Sequence, residues 1–270
     1  MDNNSPIGVF DSGVGGLTVV REIMRQLPNE SIVYFGDTAR VPYGNKSSDT
    51  IITYSRQIAH FLQKQNVKAI VIACNTASAL ALETLQKEVT IPIIGVVKPG
   101  AKAASKTTHN NNIGVIGTEG TINSDIYTTY LKSINPKVNV YKKACPLFVP
   151  LVEEGMINDP VTDEMIKRYT KDLLNLNIDT LVLGCTHYPL LRDAIHSILG
   201  DNITLVNPAY ETAIALQETL TQHNLLSLNK TPNHVFYVSD GADKFKSFAN
   251  TILPCEVVEI NDIHNIETYN

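Results

Sequence analysis

The stretch TLVLGCTHYP, residues 180–189, ends a short apolar run with a glycine and places Cys185, Thr186 and His187 directly after it. The β-branched and aliphatic run predicts a strand that is buried on both faces, and the proline after it predicts the start of a helix. Ligands in parallel α/β folds bind where the strands end. These three residues are therefore candidates for a functional site.

A second stretch of the same form, AIVIACNTAS at residues 69–78, places Cys74 after an apolar run in the same manner. A second pair of similar stretches occurs as well: IGVFDSGVG at residues 7–15 precedes the Cys74 stretch, and IGVIGTEGT at residues 113–121 precedes the Cys185 stretch. The two members of each pair are separated by nearly the same number of residues. Such self-similarity indicates a repeated structural unit. We predict an α/β protein made of two similar halves, with mostly parallel sheets that face each other across a central cleft.

The positions of the repeats set the predicted domains. The first comprises residues 1–97 plus 208–270, because the late apolar stretch HVFYVSD is expected to return to the first half, and the second comprises residues 98–207. In this arrangement Cys74 and Cys185 approach one cleft. Its further lining is predicted to include Asp11, Ser12, Thr118 and Thr121.

Composition excludes several classes of protein. Hydrophobic residues make up 43% and charged residues 18%, which is typical of a globular chain. The net charge is −5 without a run of lysine or arginine, which argues against a nucleic-acid surface. No apolar run approaches the roughly 20 residues that span a bilayer, and the N-terminus lacks a signal-peptide pattern. We expect a cytoplasmic protein that acts on a small molecule, with neither nucleic acid nor membrane as a partner.

The chain has four cysteines and no CxxC pair, so free thiols are favoured over a disulfide framework. Cys145 and Cys255 lie beside prolines in apolar surroundings, and both are expected to be small buried hydrophobes. Cys74 and Cys185 differ from them because each follows a strand and precedes side chains that form hydrogen bonds.

The glycine-rich turn DSGVGGL, residues 11–17, lies after the first predicted strand and opens a helix. It lacks the third glycine of a dinucleotide fingerprint and the lysine of a P-loop, which excludes NAD and ATP at this position. The turn instead predicts a loop of backbone N–H groups at a helix N-terminus, suited to a carboxylate. No lysine stands at a strand end to hold pyridoxal phosphate, so we expect no cofactor.

Two thiols on opposite sides of a polar cleft can act on both faces of one carbon. Inversion of a stereocentre with an acidic hydrogen needs a base on one face and an acid on the other, and a thiolate and thiol pair exchanges these roles with each turnover. A free cysteine has a pKa near 8.5, so neighbours must tune it. Asp11 and Glu153 could take up or relay protons, and His187 could hold the Cys185 thiol near its ionising range. Hydrogen-bond donors for the developing negative charge are expected from Asn75, Thr76 and Thr186.

Five motifs, FDSGVGGL, GDTARVPYG, ACNTAS, PLVEEG and LGCTHYP, occur in this order across almost the whole chain. Together they closely resemble the glutamate racemases of the cofactor-independent aspartate/glutamate racemase superfamily. The resemblance implies interconversion of L- and D-glutamate for peptidoglycan, with Cys74 and Cys185 as proton donors and acceptors. Glu153 matches the assisting carboxylate of that family. The positions that match its substrate contacts are Asp11 and Ser12, Tyr43 and Gly44, Asn75 and Thr76, and Thr186 and His187.

Three alternatives remain open. A racemase of aspartate or another amino acid would share both cysteines, and the loop formed by Pro42, Tyr43 and Gly44 would distinguish the substrates. A non-catalytic, two-lobed binding protein would show the same duplicated halves without needing the cysteines. Zinc bound by Cys74, Cys185 and His187 is chemically possible, although we expect no metal. We also expect a homodimer.

Overall fold

The computed structural model describes residues 2–269 and contains two β-sheets in which every strand pair is parallel. The larger sheet has the strand order β10-β9-β2-β1-β3-β4 and the smaller has the order β6-β5-β7-β8. The larger sheet consists of β1 (Ile7–Asp11), β2 (Ile32–Gly36), β3 (Ala69–Ile72), β4 (Ile93–Gly95), β9 (His234–Val238) and β10 (Asn261–Asp262). The smaller consists of β5 (Asn112–Gly117), β6 (Asn139–Ala144), β7 (Thr180–Gly184) and β8 (Thr204–Val206). The prediction of two α/β halves with parallel sheets is confirmed.

Helices connect the strands and cover both sheets. The first five along the chain are α1 (Leu17–Gln26), α2 (Ser48–Lys64), α3 (Asn75–Leu80), α4 (Leu82–Glu88) and α5 (Val97–Thr107). The later helices are α6 (Glu119–Asn123), α7 (Ile126–Ile134), α8 (Phe148–Glu153), α9 (Pro160–Leu174), α10 (Arg192–Leu199), α11 (Pro208–Gln222) and α12 (Ala242–Ile252). Short 3-10 turns lie at Thr38–Arg40, Tyr43–Asn45, Tyr188–Leu191 and Ile266–Thr268. Within residues 2–269, no helix combines the length and apolar character that crossing a membrane requires.

The central strands are buried on both faces because helices pack on each side of both sheets. Val9 and Phe10 of β1 contribute to two different apolar clusters, one on each face of the larger sheet. Leu181 and Val182 of β7 do the same for the smaller sheet. This explains why these strands read as continuous apolar runs rather than alternating ones. The late strand β9 pairs with β2, so the chain returns to the first half as predicted.

Some local predictions differ from the structure. The sequence after Cys74 predicts one helix, residues 77–88, but the structure has two helices separated at Ala81. The Ser78 hydroxyl donates to the carbonyl of Ile72 and accepts from the N–H of Val96, which fixes α3 against the ends of two strands independently of α4. The prediction that Cys145 is buried is confirmed, whereas that for Cys255 is wrong. The domain boundaries at residues 97 and 207 stay a prediction.

Candidate active site

The carboxyl ends of β1, β3, β5 and β7 open into one cavity of about 460 Å³. Cys74 and Cys185 both line it, so the structure brings the two strand-end cysteines to the same site. All but two of the other predicted site residues line the cavity as well. These are Ser12, Pro42, Tyr43, Gly44, Asn75, Thr76, Thr118, Glu153, Thr186 and His187.

Cys74 occupies the N-cap of α3, where its sulfur accepts the backbone N–H of Ala77 at 3.4 Å. Burial and the nearby charge of Asp11 raise the pKa of the Cys74 thiol to about 12, although the Ala77 N–H and the Ser12 hydroxyl act in the opposite direction. A desolvated anion next to a carboxylate is unfavourable. Cys74 is therefore a protonated thiol at neutral pH in the unliganded site.

Cys185 has a different environment. Its sulfur lies 3.8 Å from Nδ1 of His187, whose Nε2 lies 3.0 Å from Oε1 of Glu153. Burial alone would lower the pKa of His187, but its hydrogen bonds to Cys185 and Glu153 outweigh burial and raise that pKa to about 10. The hydrogen bond between His187 and Glu153 lowers the pKa of Glu153, although the burial of Glu153 acts in the opposite direction. An imidazolium thus stands between a carboxylate and the second sulfur.

Asp11 and Thr121 do not line the cavity, although both were predicted there from the sequence. Asp11 is completely buried beneath the lining, and its Oδ2 accepts the backbone N–H groups of Gly13 and Gly16 at 3.1 and 3.0 Å. Burial raises the pKa of Asp11, while His187 and these N–H groups oppose the rise. Two N–H groups of the glycine-rich loop are therefore held by the protein's own carboxylate, whereas the sequence predicted the loop as a site for a ligand carboxylate.

The glycine-rich loop also makes room for the second half of the site. A Cβ added at Gly15 would lie 2.4 Å from Oγ1 of Thr186 and 2.5 Å from the ring of His187. The hydroxyl of Thr18 lies 2.9 Å from the carbonyl oxygen of Thr186 and at the same distance from that of Gly15. These contacts join the loop after β1 to the loop after β7. The absence of a side chain at Gly15 is what allows the imidazole to lie there.

The loop after β2 is anchored by a buried carboxylate. Asp37 accepts hydrogen bonds from Arg40 Nε at 2.8 Å, from the Ser239 hydroxyl at 3.0 Å, and from the hydroxyl of Tyr43. Because the Tyr43 hydroxyl donates to Asp37, it is already engaged within the loop. Tyr43 therefore contributes to the cavity through its ring and backbone, beside Gly44.

Three threonines connect the two halves at the edge of the cavity. The Oγ1 atom of Thr76, on α3, lies 3.0 Å from that of Thr118 and 3.3 Å from that of Thr121, on α6. Thr121 therefore supports the lining rather than forming it. Among the described residues that line the cavity there is no lysine or arginine. Apart from the imidazolium of His187, the donors available to a ligand carboxylate are hydroxyl, amide and backbone groups.

We predict that Thr76→Val and Thr186→Val each lower kcat/KM about tenfold or more, because a hydrogen bond to a charged group contributes roughly 1.5–3 kcal/mol. Steady-state racemisation kinetics of the two variants provide the measurement. Valine has nearly the shape of threonine, so packing is retained. If both variants stayed within about twofold of the wild type, under roughly 0.5 kcal/mol, the carboxylate donors would have to lie elsewhere.

Several lining residues were not identified from the sequence. They are Gly13, Val41, Asn45, Glu119, Pro146, Val149 and Pro150. Gly13, Val41, Asn45 and Glu119 adjoin predicted site residues, so extension of the motifs would have found them. The two prolines and Val149 form an apolar wall before and on α8, for which the sequence carries no chemical signal. Within residues 2–269, no group of three or more His, Cys, Asp or Glu side chains is placed to hold a metal ion.

Comparison with known proteins agrees with this geometry. The Asp/Glu/Hydantoin racemase family matches residues 7–215. A glutamate racemase of Geobacter metallireducens is 50% identical over 248 residues, which cover 92% of each chain. The crystal structure of glutamate racemase isoform RacE1 from Bacillus anthracis has a TM-score of 0.94 at 41% identity, covering 97% of this chain and 98% of that one. The glutamate racemase of Francisella tularensis, solved in complex with D-glutamate, has a TM-score of 0.92 at 41% identity, covering 99% and 100%.

The family match and the glutamate racemase relatives assign this chain to the amino-acid racemases, and two parallel α/β halves with a cysteine from each at a shared cavity agree with that class. The chain belongs to the Asp/Glu/Hydantoin racemase family. The resemblance to glutamate racemases, and the prediction of an isomerase, are confirmed by these relatives. The roles of the individual site residues stay a prediction.

Proposed function

We propose that this chain interconverts L- and D-glutamate without a cofactor, by proton transfer from two cysteines, and that it supplies D-glutamate for peptidoglycan synthesis. The observation that carries the proposal is the position of Cys74 and Cys185 on one cavity, each at the end of a parallel strand from a different half. The choice of glutamate is supported by relatives that are named glutamate racemases, one of them solved with D-glutamate.

The asymmetry of the site supports one assignment of roles to the two cysteines. Cys74 is the thiol that burial keeps protonated, so it is suited to deliver a proton. Cys185 lies beside the imidazolium of His187, which compensates the negative charge of a thiolate there. The Cys185 thiolate takes the α-hydrogen as a proton from one face, and Cys74 gives its proton to the opposite face. The electron pair left on the α-carbon forms the new C–H bond, so no oxidant or reductant is needed.

The height of the activation barrier explains why residues of the cavity lining must stabilise the developing charge. A turnover of about 10 per second corresponds to a barrier near 16 kcal/mol. A thiolate is a weak base for an α-hydrogen, so preorganised donors worth about 3–4 kcal/mol each are needed for the developing charge. Asn75, Thr76 and Thr186 are side-chain donors on the lining. We propose that they donate hydrogen bonds to the substrate carboxylate, which takes up part of the carbanion charge.

The absence of a cofactor is tested by optical rotation. We expect protein dialysed exhaustively against a chelator to bring the rotation of an L-glutamate solution to zero, with no cofactor added. A pyridoxal absorbance in stoichiometric amount, or a metal whose removal abolishes racemisation, would contradict this expectation. The second outcome would revive the zinc alternative for Cys74, Cys185 and His187.

The same assay separates the remaining alternatives. Faster racemisation of aspartate or another amino acid than of glutamate would assign a different substrate to the loop at Pro42, Tyr43 and Gly44. Binding of glutamate, measured by calorimetry, without any turnover would favour a binding protein.

We further propose that the protein acts in the cytoplasm as a homodimer, for which the family resemblance is the support. Light scattering at micromolar concentration measures the mass directly.

A further inference from the structure

Tyr127 lies between the two cysteine-bearing strand ends without lining the cavity. It is the second residue of α7 and is 2% exposed. A Cβ added at Gly184, the last residue of β7, would lie 3.3 Å from Cε2 of the Tyr127 ring, and one added at Gly100 would lie 3.4 Å from its hydroxyl oxygen. The ring therefore packs directly beside the strand that ends before Cys185.

The hydroxyl of Tyr127 reaches the other half of the site. It donates to Oδ1 of Asn75 at 2.8 Å, and Asn75 comes directly after Cys74 at the start of α3. Burial raises the pKa of the Tyr127 phenol, and the nearby Cys185 raises it further, so the hydroxyl keeps its proton. In the described part of the chain, Tyr127 is the residue that holds the Asn75 side-chain oxygen.

The direction of this hydrogen bond determines which group Asn75 offers the cavity. A carboxamide carries an acceptor on one side and two donors on the other. With its oxygen held by Tyr127, the amide nitrogen is the side left for the cavity, which Asn75 lines. In residues 2–269 the amide nitrogen makes no hydrogen bond to another protein group. A carboxamide rotated by half a turn would instead present its oxygen to a substrate carboxylate, which is repulsive.

We propose that Tyr127 is a positioning residue that fixes the Asn75 carboxamide with its NH2 group toward a substrate carboxylate. The inference rests on the proposed function for the identity of that substrate. Tyr127 does not touch the reacting atoms. It acts through Asn75, and by its packing beside Gly184 it keeps this donor at a set position relative to the strand end that carries Cys185.

A double-mutant cycle on the full-length chain tests the proposal. We expect Tyr127→Phe to lower kcat/KM for L-glutamate about tenfold, which corresponds to roughly 1.4 kcal/mol. In the Asn75→Ala background the same change should have less than about a twofold effect, because the group that it positions is gone. Tyr130→Phe, on the same helix, is the matched control and should leave kcat/KM unchanged, since the Tyr130 hydroxyl makes no hydrogen bond to any other described residue.

The cycle distinguishes positioning from general support of the fold. A merely structural tyrosine would lower activity by the same factor with or without Asn75, and that additive result would overturn the proposal, as would an unchanged kcat/KM in Tyr127→Phe. Thermal unfolding of each variant verifies that the comparison is made on folded protein. If the wild type did not racemise glutamate at all, the proposed function would fail. The same cycle measured on the dissociation constant of L-glutamate would still test Tyr127.

Discussion

Cys74→Ser and Cys185→Ser should each lower kcat for racemisation by at least about a thousandfold. A serine hydroxyl is too weak an acid and its alkoxide too rare to replace a thiol, and a positioned acid or base contributes roughly 10²–10⁴-fold. Because each cysteine comes from a different half and lines the same cavity, one cannot serve for the other. Polarimetry starting from each enantiomer provides the measurement.

Proton exchange in heavy water separates the two faces. The family resemblance implies that Cys74 acts on D-glutamate and Cys185 on L-glutamate. Cys185→Ser should therefore exchange only the α-hydrogen of the D enantiomer, and Cys74→Ser only that of the L enantiomer. The structure adds a difference in rate: the pKa of Cys74 is raised to about 12 by burial and by Asp11, so it must ionise against both before it can act as a base. Exchange by Cys185→Ser should be the slower of the two.

Cys255→Ser is the matched control, because Cys255 is an exposed free thiol and should be replaceable without loss of turnover. A shielded thiol returns the proton that it took before solvent replaces it, so an absence of exchange alone is weak support for either view. Substantial racemisation by Cys74→Ser or Cys185→Ser would contradict two-base chemistry. It would mean that a single residue reaches both faces of the α-carbon.

The parts of the site that could be predicted are those at strand ends. Apolar runs such as residues 69–72 and 180–183 are buried on both faces, and the parallel topology places the residues after each run at one edge of the sheet. Repetition of this pattern was enough to predict that Cys74 and Cys185 share a cleft. The alternation of apolar runs and turns indicates which stretches form these central strands before any tertiary contact is known.

The features that could not be predicted depend on contacts between distant residues. The bond between Glu153 and His187 joins α8 to the loop after β7, and no spacing in the sequence indicates that these side chains meet. The strand β6 was not predicted, because it lies at an edge of its sheet and carries partly exposed lysines. The capture of the glycine-rich loop by Asp11 was missed because N–H groups suited to a carboxylate do not reveal whose carboxylate they hold.

His187→Asn should lower kcat from L-glutamate about a hundredfold or more, because it removes the imidazolium beside Cys185. L- and D-glutamate have equal free energies, so kcat/KM must be the same in both directions for every variant. A difference between the directions can therefore appear only in kcat and KM separately. We expect the larger loss of kcat in the direction that starts from the L enantiomer, since His187 and Glu153 lie on the Cys185 side. Rates measured from each pure enantiomer test this.

The pH dependence gives an independent test of the same contacts. Hydrogen bonds to Cys185 and Glu153 raise the pKa of His187 from its ordinary value near 6.5 to about 10. The folded protein therefore keeps the imidazolium up to about pH 10. A pKa that is higher in the folded than in the unfolded protein stabilises the fold fully below about 6.5, and this contribution is lost as the pH rises through about 10. His187→Asn should remove that part of the pH dependence of thermal unfolding.

In a profile of kcat against pH, Glu153→Gln should move the alkaline limb, where kcat falls as the pH rises, to lower pH. The neutral amide can no longer favour the imidazolium, so His187 loses its proton at a lower pH than in the wild type. His196→Asn is the matched control, because His196 lies 3.4 Å from the carboxylate of Asp201 but on the surface and away from the cavity. It should leave the limb in place. An unchanged limb in Glu153→Gln would show that the group titrating there is not the histidine that Glu153 contacts. Ionisation of Cys74, whose thiol must be protonated to complete the inversion of L-glutamate, would then be the assignment to test next.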